Sequence, residues 1–221
     1  MARATLIALL GLLVAACSGE RTSSANSPGM SVDLWLERLE VSSRELYSAR
    51  LEVLEAAQLA PGHVVADIGA GTGLYTLLFA DAVGPDGHVY AVDIEPLFLD
   101  LINSRTSDAG LTNVSAVLNR ANDVTLPKNS VDVVFIADTY HYFSDREAIM
   151  KSVFAALKPG GALVLVDYDL MAGETIPDDK AHIRFGKAGV VSEIEFIGFE
   201  LTDTPKVEGL SENYLVRFRK P

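Results

Sequence analysis

Val64-Val65-Ala66-Asp67-Ile68-Gly69-Ala70-Gly71-Thr72-Gly73-Leu74 is the stretch that decides the fold. Val64 to Ile68 is a short apolar run rich in β-branched residues, the composition of a strand covered on both faces. Gly69, Gly71 and Gly73 follow at alternate positions. Glycine permits a tight turn and lets backbone N–H groups come close to a ligand. A helix is expected from about Thr72, because Leu74, Leu77, Leu78 and Val83 fall close to helical spacing.

Moving outward, His88-Val89-Tyr90-Ala91-Val92-Asp93 reads as a second buried strand ending in a carboxylate, with Asp93 20 residues beyond Gly73. Strand, glycine turn, helix and an acidic residue closing the next strand make a nucleotide-binding βαβ unit. Two neighbouring ribose hydroxyls need a strong bidentate acceptor, which an ionised Asp93 supplies. The glycine spacing separates one nucleotide from another. The dinucleotide pattern G-x-G-x-x-G fails here, since Leu74 or Thr76 stands where its last glycine belongs. The pattern is D-x-G-x-G-x-G.

On these residues the chain resembles the class I S-adenosylmethionine-dependent methyltransferases, well over roughly residues 50 to 170 and loosely elsewhere. The resemblance implies an α/β protein with a doubly wound, mostly parallel seven-stranded sheet (the Rossmann-like methyltransferase fold). The implied strand order is 3-2-1-4-5-7-6, with the last strand antiparallel. It implies S-adenosylmethionine as co-substrate and a small-molecule methyl acceptor; no metal is expected, because the histidines and the single cysteine show no metal-ligand spacing. Gly69, Ala70, Gly71 and Gly73 would cradle the donor, and Asp93 with Ile94 would hold its nucleoside. Asp67 either receives the donor's ammonium group or orders the glycine loop. Counting back from Leu126-Pro127, the position that contacts adenine is Asn122, with Asp123 beside it; Asp138 closes the donor set. Two other classes stay open: a nicotinamide-dependent oxidoreductase, disfavoured by Leu74 and by the lack of a Tyr-x-x-x-Lys pair, and a binding module without turnover.

Methyl transfer is an in-line displacement, so alignment and exclusion of water are the protein's main tasks. The apolar run Val131 to Ala137 ends in Asp138-Thr139-Tyr140-His141-Tyr142-Phe143. Ligands of open α/β sheets sit beyond the carboxyl ends of the strands, which aims this cluster at the acceptor. His141 is the candidate general base, its alternative being a ring that packs beside the donor. Tyr140 and Tyr142 are candidate pocket walls that cation–π attraction to a sulfonium would favour, or ordinary core and rim.

The chain has 221 residues, 49% of them apolar, enough for one α/β domain. A net charge of −12 argues against sequence-independent nucleic-acid binding, which needs a basic surface. The one cysteine is Cys17, so residues beyond it offer no thiol chemistry, and the four histidines show no metal-ligand spacing.

Arg3 and the apolar run Leu6 to Ala16 suit a secretory signal peptide and are too short to span a bilayer. Val14-Ala15-Ala16-Cys17 resembles a bacterial lipobox, in which Cys17 is lipidated. The division expected is 1–17 signal peptide and lipobox, 18–31 flexible tether, and 32–221 methyltransferase domain. The product is a membrane-anchored lipoprotein on the periplasmic side; a cytoplasmic enzyme is the alternative, and its oligomeric state is open.

The remaining elements expected are a short helix over Val32 to Val41 and a second capped by Ser42 or Ser43 with a Leu46–Ala57 stripe. This pair either packs over the pocket or only covers the sheet edge. A helix follows from Pro96, then strands Val114 to Leu118 and Val131 to Ala137, with a polar loop Asn119 to Leu126 between them. Residues 145–157 read as a helix ended sharply by Lys158-Pro159-Gly160-Gly161, before a strand Ala162 to Asp167. A candidate lid spans Asp169 to Asp179, a helix His182 to Gly198, and final strands Phe199 to Thr204 and Asn213 to Arg219.

Overall fold

The computed structural model describes residues 31–170 and 186–221. Cys17, His182 and most of the candidate lid lie outside them. Seven strands form one sheet: β1 (Val64–Ile68), β2 (His88–Asp93), β3 (Val114–Leu118), β4 (Val131–Ala137), β5 (Leu157–Tyr168), β6 (Glu200–Asp203) and β7 (Asn213–Arg219). Their order is β3-β2-β1-β4-β5-β7-β6. β1 to β5 pair in parallel, whereas β7 runs antiparallel to both β5 and β6. The fold and strand order expected are those observed.

The helices are α1 (Val32–Leu39), α2 (Glu45–Ser48), α3 (Arg50–Ala56), α4 (Leu74–Val83), α5 (Pro96–Asp108), α6 (Arg146–Ala156) and α7 (Lys187–Ile197). The central strands alternate their side chains between two apolar layers. Val133, Phe135, Val164 and Val166 pack with Val53, Tyr75 and Phe79 from α3 and α4. Val134, Ile136, Leu163 and Leu165 pack with Ile149, Val153 and Ile194 from α6 and α7. Covering both faces is what the largely apolar runs of β1 and β4 demand, and each fully buried apolar side chain contributes about 1.5–3 kcal/mol.

Several boundaries differ from those expected, each for a tertiary reason. Ser31, assigned to the tether, caps α1 by accepting the Leu34 N–H. The second helix breaks at Ala49, where Gly209 packs so closely that an added Cβ would lie 2.8 Å from the Ala49 Cβ. Its N-cap is Arg44 rather than Ser42 or Ser43. The Glu45 carboxylate instead reaches across the fold to accept the backbone N–H groups of Ser211, Glu212 and Asn213 at 2.8, 3.0 and 3.1 Å. α6 stops at Ala156 and β5 already begins at Leu157. Pro159-Gly160-Gly161 is therefore a bulge inside β5, marked by a register shift against β4, where a proline is tolerated. The loop after β3 is pinned by a bridge between Arg120 and Asp123.

Candidate active site

The glycine turn joins β1 to α4, which starts at Leu74 rather than Thr72. Gly69, Gly71 and Gly73 all have left-handed backbones, with φ of +72°, +54° and +82°. A Cβ on Gly69 would run into the Thr139 side chain, and one on Gly73 would lie 2.8 Å from Ile102 Cγ1. Both glycines are required by packing within the protein. On Gly71 the nearest atom would be Leu39 Cδ1 at 3.8 Å, an ordinary contact, so of the three glycines this one alone leaves room for a Cβ. The Ala70 carbonyl accepts the Gly73 N–H at 2.9 Å and closes the turn.

Asp93, 6% exposed, closes β2 beside Gly71. One carboxylate oxygen accepts the Gly71 N–H and the other the Glu95 N–H, both at 2.9 Å. Burial raises its pKa, against the pull of those two donors. A carboxylate has about four acceptor positions, so both oxygens keep capacity for a ligand hydroxyl. Asp67 lies deeper at 3% exposure and accepts the Thr76 hydroxyl at 2.6 Å. Burial pushes its carboxyl up to about 7, with the nearby Asp93 charge adding to the shift. Beyond β2 and β3, Ile94, Leu97 and Leu118 are 41%, 42% and 55% exposed and supply an apolar surface. Asn122 is exposed, whereas the Asp123 carboxylate accepts the Thr125 N–H at 2.7 Å and builds the turn.

Asp138 is not an open acceptor. Its carboxylate is held by Arg44 at 2.9 Å and Asn213 at 2.8 Å, and its φ is +44°. The N-terminal helices therefore pack against the site rather than merely covering a sheet edge. Leu39 lies over Gly71, and Arg105 pairs with Glu40 while donating to the Thr72 carbonyl at 2.8 Å.

On the β4 side, Thr139 against Gly69 brings the short helical turn Tyr140–Tyr142 next to the glycine loop. Tyr140, expected as a pocket wall, is 2% exposed in the α6–α7 layer, and its hydroxyl donates to Glu193 at 2.7 Å. An aromatic body needs burial and its hydroxyl needs a partner, and Glu193 with Arg146 meets the second need. Tyr142 is 63% exposed and tilts against the His141 ring at 4.2 Å. His141 Nδ1 lies 2.5 Å from a carboxylate oxygen of Asp167 at the end of β5. The β1, β2, β4 and β5 ends thus all deliver a carboxylate to one rim.

The sequence reading missed four residues here: Asp167, Arg105, Asn119 and Tyr214. The Asn119 side-chain oxygen and the Tyr214 hydroxyl are buried with no hydrogen-bond partner among the described residues. For Asp167 the same signal that marked Asp93 was present, an acidic residue closing an apolar run.

The chain is similar to curated methyltransferases of quinone biosynthesis. It is 33% identical over 109 residues to the ubiquinone/menaquinone biosynthesis C-methyltransferase UbiE of Vibrio vulnificus, covering 49% of this chain and 42% of that protein. With the enzyme of the same name from Ectopseudomonas mendocina the figures are 36% over 116 residues, 52% and 45%. The chain thus spans less than half the length of these relatives. Among solved structures, a SAM-dependent methyltransferase from Aquifex aeolicus superposes with a TM-score of 0.72 at 25% identity, covering 83% of this chain and 96% of that one. The [4+2]-cyclase SpnF shares the fold at a TM-score of 0.69 and 18% identity. Residues 65–161, from β1 to the bulge of β5, match the family described as a methyltransferase domain.

Proposed function

We propose that this protein transfers a methyl group from S-adenosylmethionine to a small-molecule acceptor. One observation carries the reading: of the three turn glycines only Gly71 has room for a side-chain atom, and it lies directly beside the buried Asp93 carboxylate. That is a cradle a Cβ would fill, with an acceptor for ribose hydroxyls on its wall. The Asn119 oxygen fits the same ligand. Its amide nitrogen donates to the Arg120 carbonyl at 3.2 Å, which fixes the oxygen as a buried acceptor awaiting a donor such as a purine amino group. Ile94 and Leu118 offer apolar contact to a base. The donor, when bound, supplies a methyl already activated by the sulfonium charge. The protein's residues hold its nucleoside and shield the site.

Calorimetric titration with S-adenosylmethionine tests this. Asp93→Asn removes the charge and keeps an acceptor, so affinity is expected to fall about ten- to a hundredfold. A folded variant with unchanged affinity removes Asp93 from the site. Turnover of the donor in cell extract, followed by mass identification of methylated products, separates an enzyme from a silent binding module.

We further propose that residues 1–17 are a lipoprotein signal and that Cys17 carries the anchor of a periplasmic-side membrane protein. The support is the agreement of Arg3, the apolar run and Ala15-Ala16-Cys17. Among the described residues no helix is long and apolar enough to cross a membrane. One acyl chain anchors poorly, so stable attachment requires two or more on Cys17. Fractionation of wild type and Cys17→Ala, with the mature N-terminal mass, decides it. An unprocessed wild type found wholly in the soluble cytoplasmic fraction overturns the proposal.

A further inference from the structure

We propose that α1 is a strap across the donor cradle, closed by the Glu40–Arg105 ion pair, and that the donor enters and leaves only while this pair is open. Arg105 is the positioning residue that ties the strap to the glycine turn. This inference rests on the methyltransferase reading and adds how its donor site opens and closes.

Three observations carry it. First, α1 depends on what it touches. It has eight residues, none of them buried. A helix of that length is marginal in water on its own, so its place is set by its contacts. One of these is Trp35, which meets Phe98 in the first turn of α5 edge-on at 5.3 Å. Second, Leu39 lies over Gly71, with its Cδ1 3.8 Å from where a Cβ would stand. A ligand approaching the backbone there must displace the Leu39 side chain or slide beneath it.

Third, one guanidinium joins the strap to the turn. Arg105 Nη1 donates both to Glu40 Oε1 and, at 2.8 Å, to the carbonyl of Thr72, which stands between Gly71 and Gly73. Arg105 Nη2 donates to Glu40 Oε2 at 3.1 Å. The Arg105 and Glu40 side chains are only 25% and 14% exposed, and a two-pronged pair of this kind fixes geometry as well as charge.

Behind the strap the chain is held. Arg44 Nη2 donates to Asp138 at 2.9 Å, and the Glu45 carboxylate accepts the N–H groups of Ser211 and Asn213. The pivot therefore falls at residues 41–43. Opening breaks the Glu40–Arg105 pair and the Trp35–Phe98 contact, frees the Leu39 carbonyl from Arg44 Nη1 and lifts Leu39 from Gly71. Arg105 stays on the Thr72 carbonyl, so the turn keeps its shape while it is uncovered.

The test mixes the full chain with S-adenosylhomocysteine, whose net charge is near zero, in stopped flow. The signal is the fluorescence of Trp35, the only tryptophan in the chain. Glu40→Gln keeps an acceptor for Arg105 and removes the charge. Entry and exit share one opening equilibrium, so association and dissociation rates are both expected to rise about three- to tenfold, with Kd held within about twofold. Raising salt from about 0.01 to about 1 M shortens the screening length from about 30 to about 3 Å, and the wild type should show the same paired rise without any substitution. The proposal is overturned by unchanged rates in Glu40→Gln, by faster dissociation alone, which a plain binding contact gives, by salt-independent rates in the wild type, or by a Trp35 signal that does not change on binding. Absence of S-adenosylhomocysteine binding in calorimetry fails the methyltransferase reading instead. Amide hydrogen exchange of the free protein then still judges the strap: α1 should exchange about three- to tenfold faster in Glu40→Gln with β4 unmoved, and equal α1 exchange overturns it.

Discussion

Replacing Asp67 with asparagine isolates the energetics of the glycine turn. Asp67 is 3% exposed, and burial, with the Asp93 charge behind it, lifts its carboxyl from 3.8 to about 7 against the pull of the Thr76 hydroxyl. Between those values the native chain keeps a proton that the unfolded chain has released. Stability therefore falls as pH rises through this window, by about 1.4 kcal/mol per unit at full slope. About three units of difference make a total of about 4 kcal/mol, absent below the unfolded value and fully in place above pH 7. Asparagine keeps an oxygen for the Thr76 hydroxyl and has no such titration. Urea unfolding of both proteins from about pH 4 to about pH 8 should show the asparagine variant gaining on the wild type by about that amount. Other titrating groups, including Asp93 with its own raised value, cancel to first order in the difference. A difference that stays flat across the window refutes the assignment. The same experiment sorts the two roles of Asp67: if it meets the donor's ammonium group, binding near pH 6 releases a proton, and if it only orders the loop, none is released.

Gly71→Ala should fold with a left-handed backbone cost of about 1–2 kcal/mol and lose donor affinity tenfold or more, measured by denaturation and calorimetry. Gly69→Ala should cost about 1–3 kcal/mol beyond that, because its Cβ meets Thr139; equal stability of the two variants contradicts the packing role given to Gly69.

The parallel half of the sheet was legible chiefly because its central strands β1, β2 and β4 are largely buried on both faces. Val64–Ile68, His88–Asp93, the edge strand Val114–Leu118 and Val131–Ala137 are predominantly apolar runs whose ends coincide with those observed. The glycine turn and Asp93 were legible because backbone conformation and charge at a strand end are local properties. Other features depend on contacts between distant segments. The break at Ala49 lies where Gly209 packs against the helix pair, and β5 starts early where Leu157 pairs with Val131. Tyr140 and Tyr214 look alike as sequence; only the fold shows that one hydroxyl reaches Glu193 while the other has no partner among the described residues. Asp167 sat at an expected strand end, but its pairing with His141 needed β4 and β5 side by side.

The rim clasp has a consequence for how the protein is made. Asp138 joins Arg44 to Asn213, 94 and 75 residues away along the chain, and Glu45 holds N–H groups 166 to 168 residues further on. A ribosome extends a chain at roughly 5–20 residues per second, so Arg44 and Glu45 wait on the order of ten seconds for their partners. The parallel core from β1 to β4 can assemble during that wait, because its contacts are nearer in sequence. The ligand-facing rim is completed only after residues 211–213 emerge, which makes donor competence one of the last properties a newborn chain acquires.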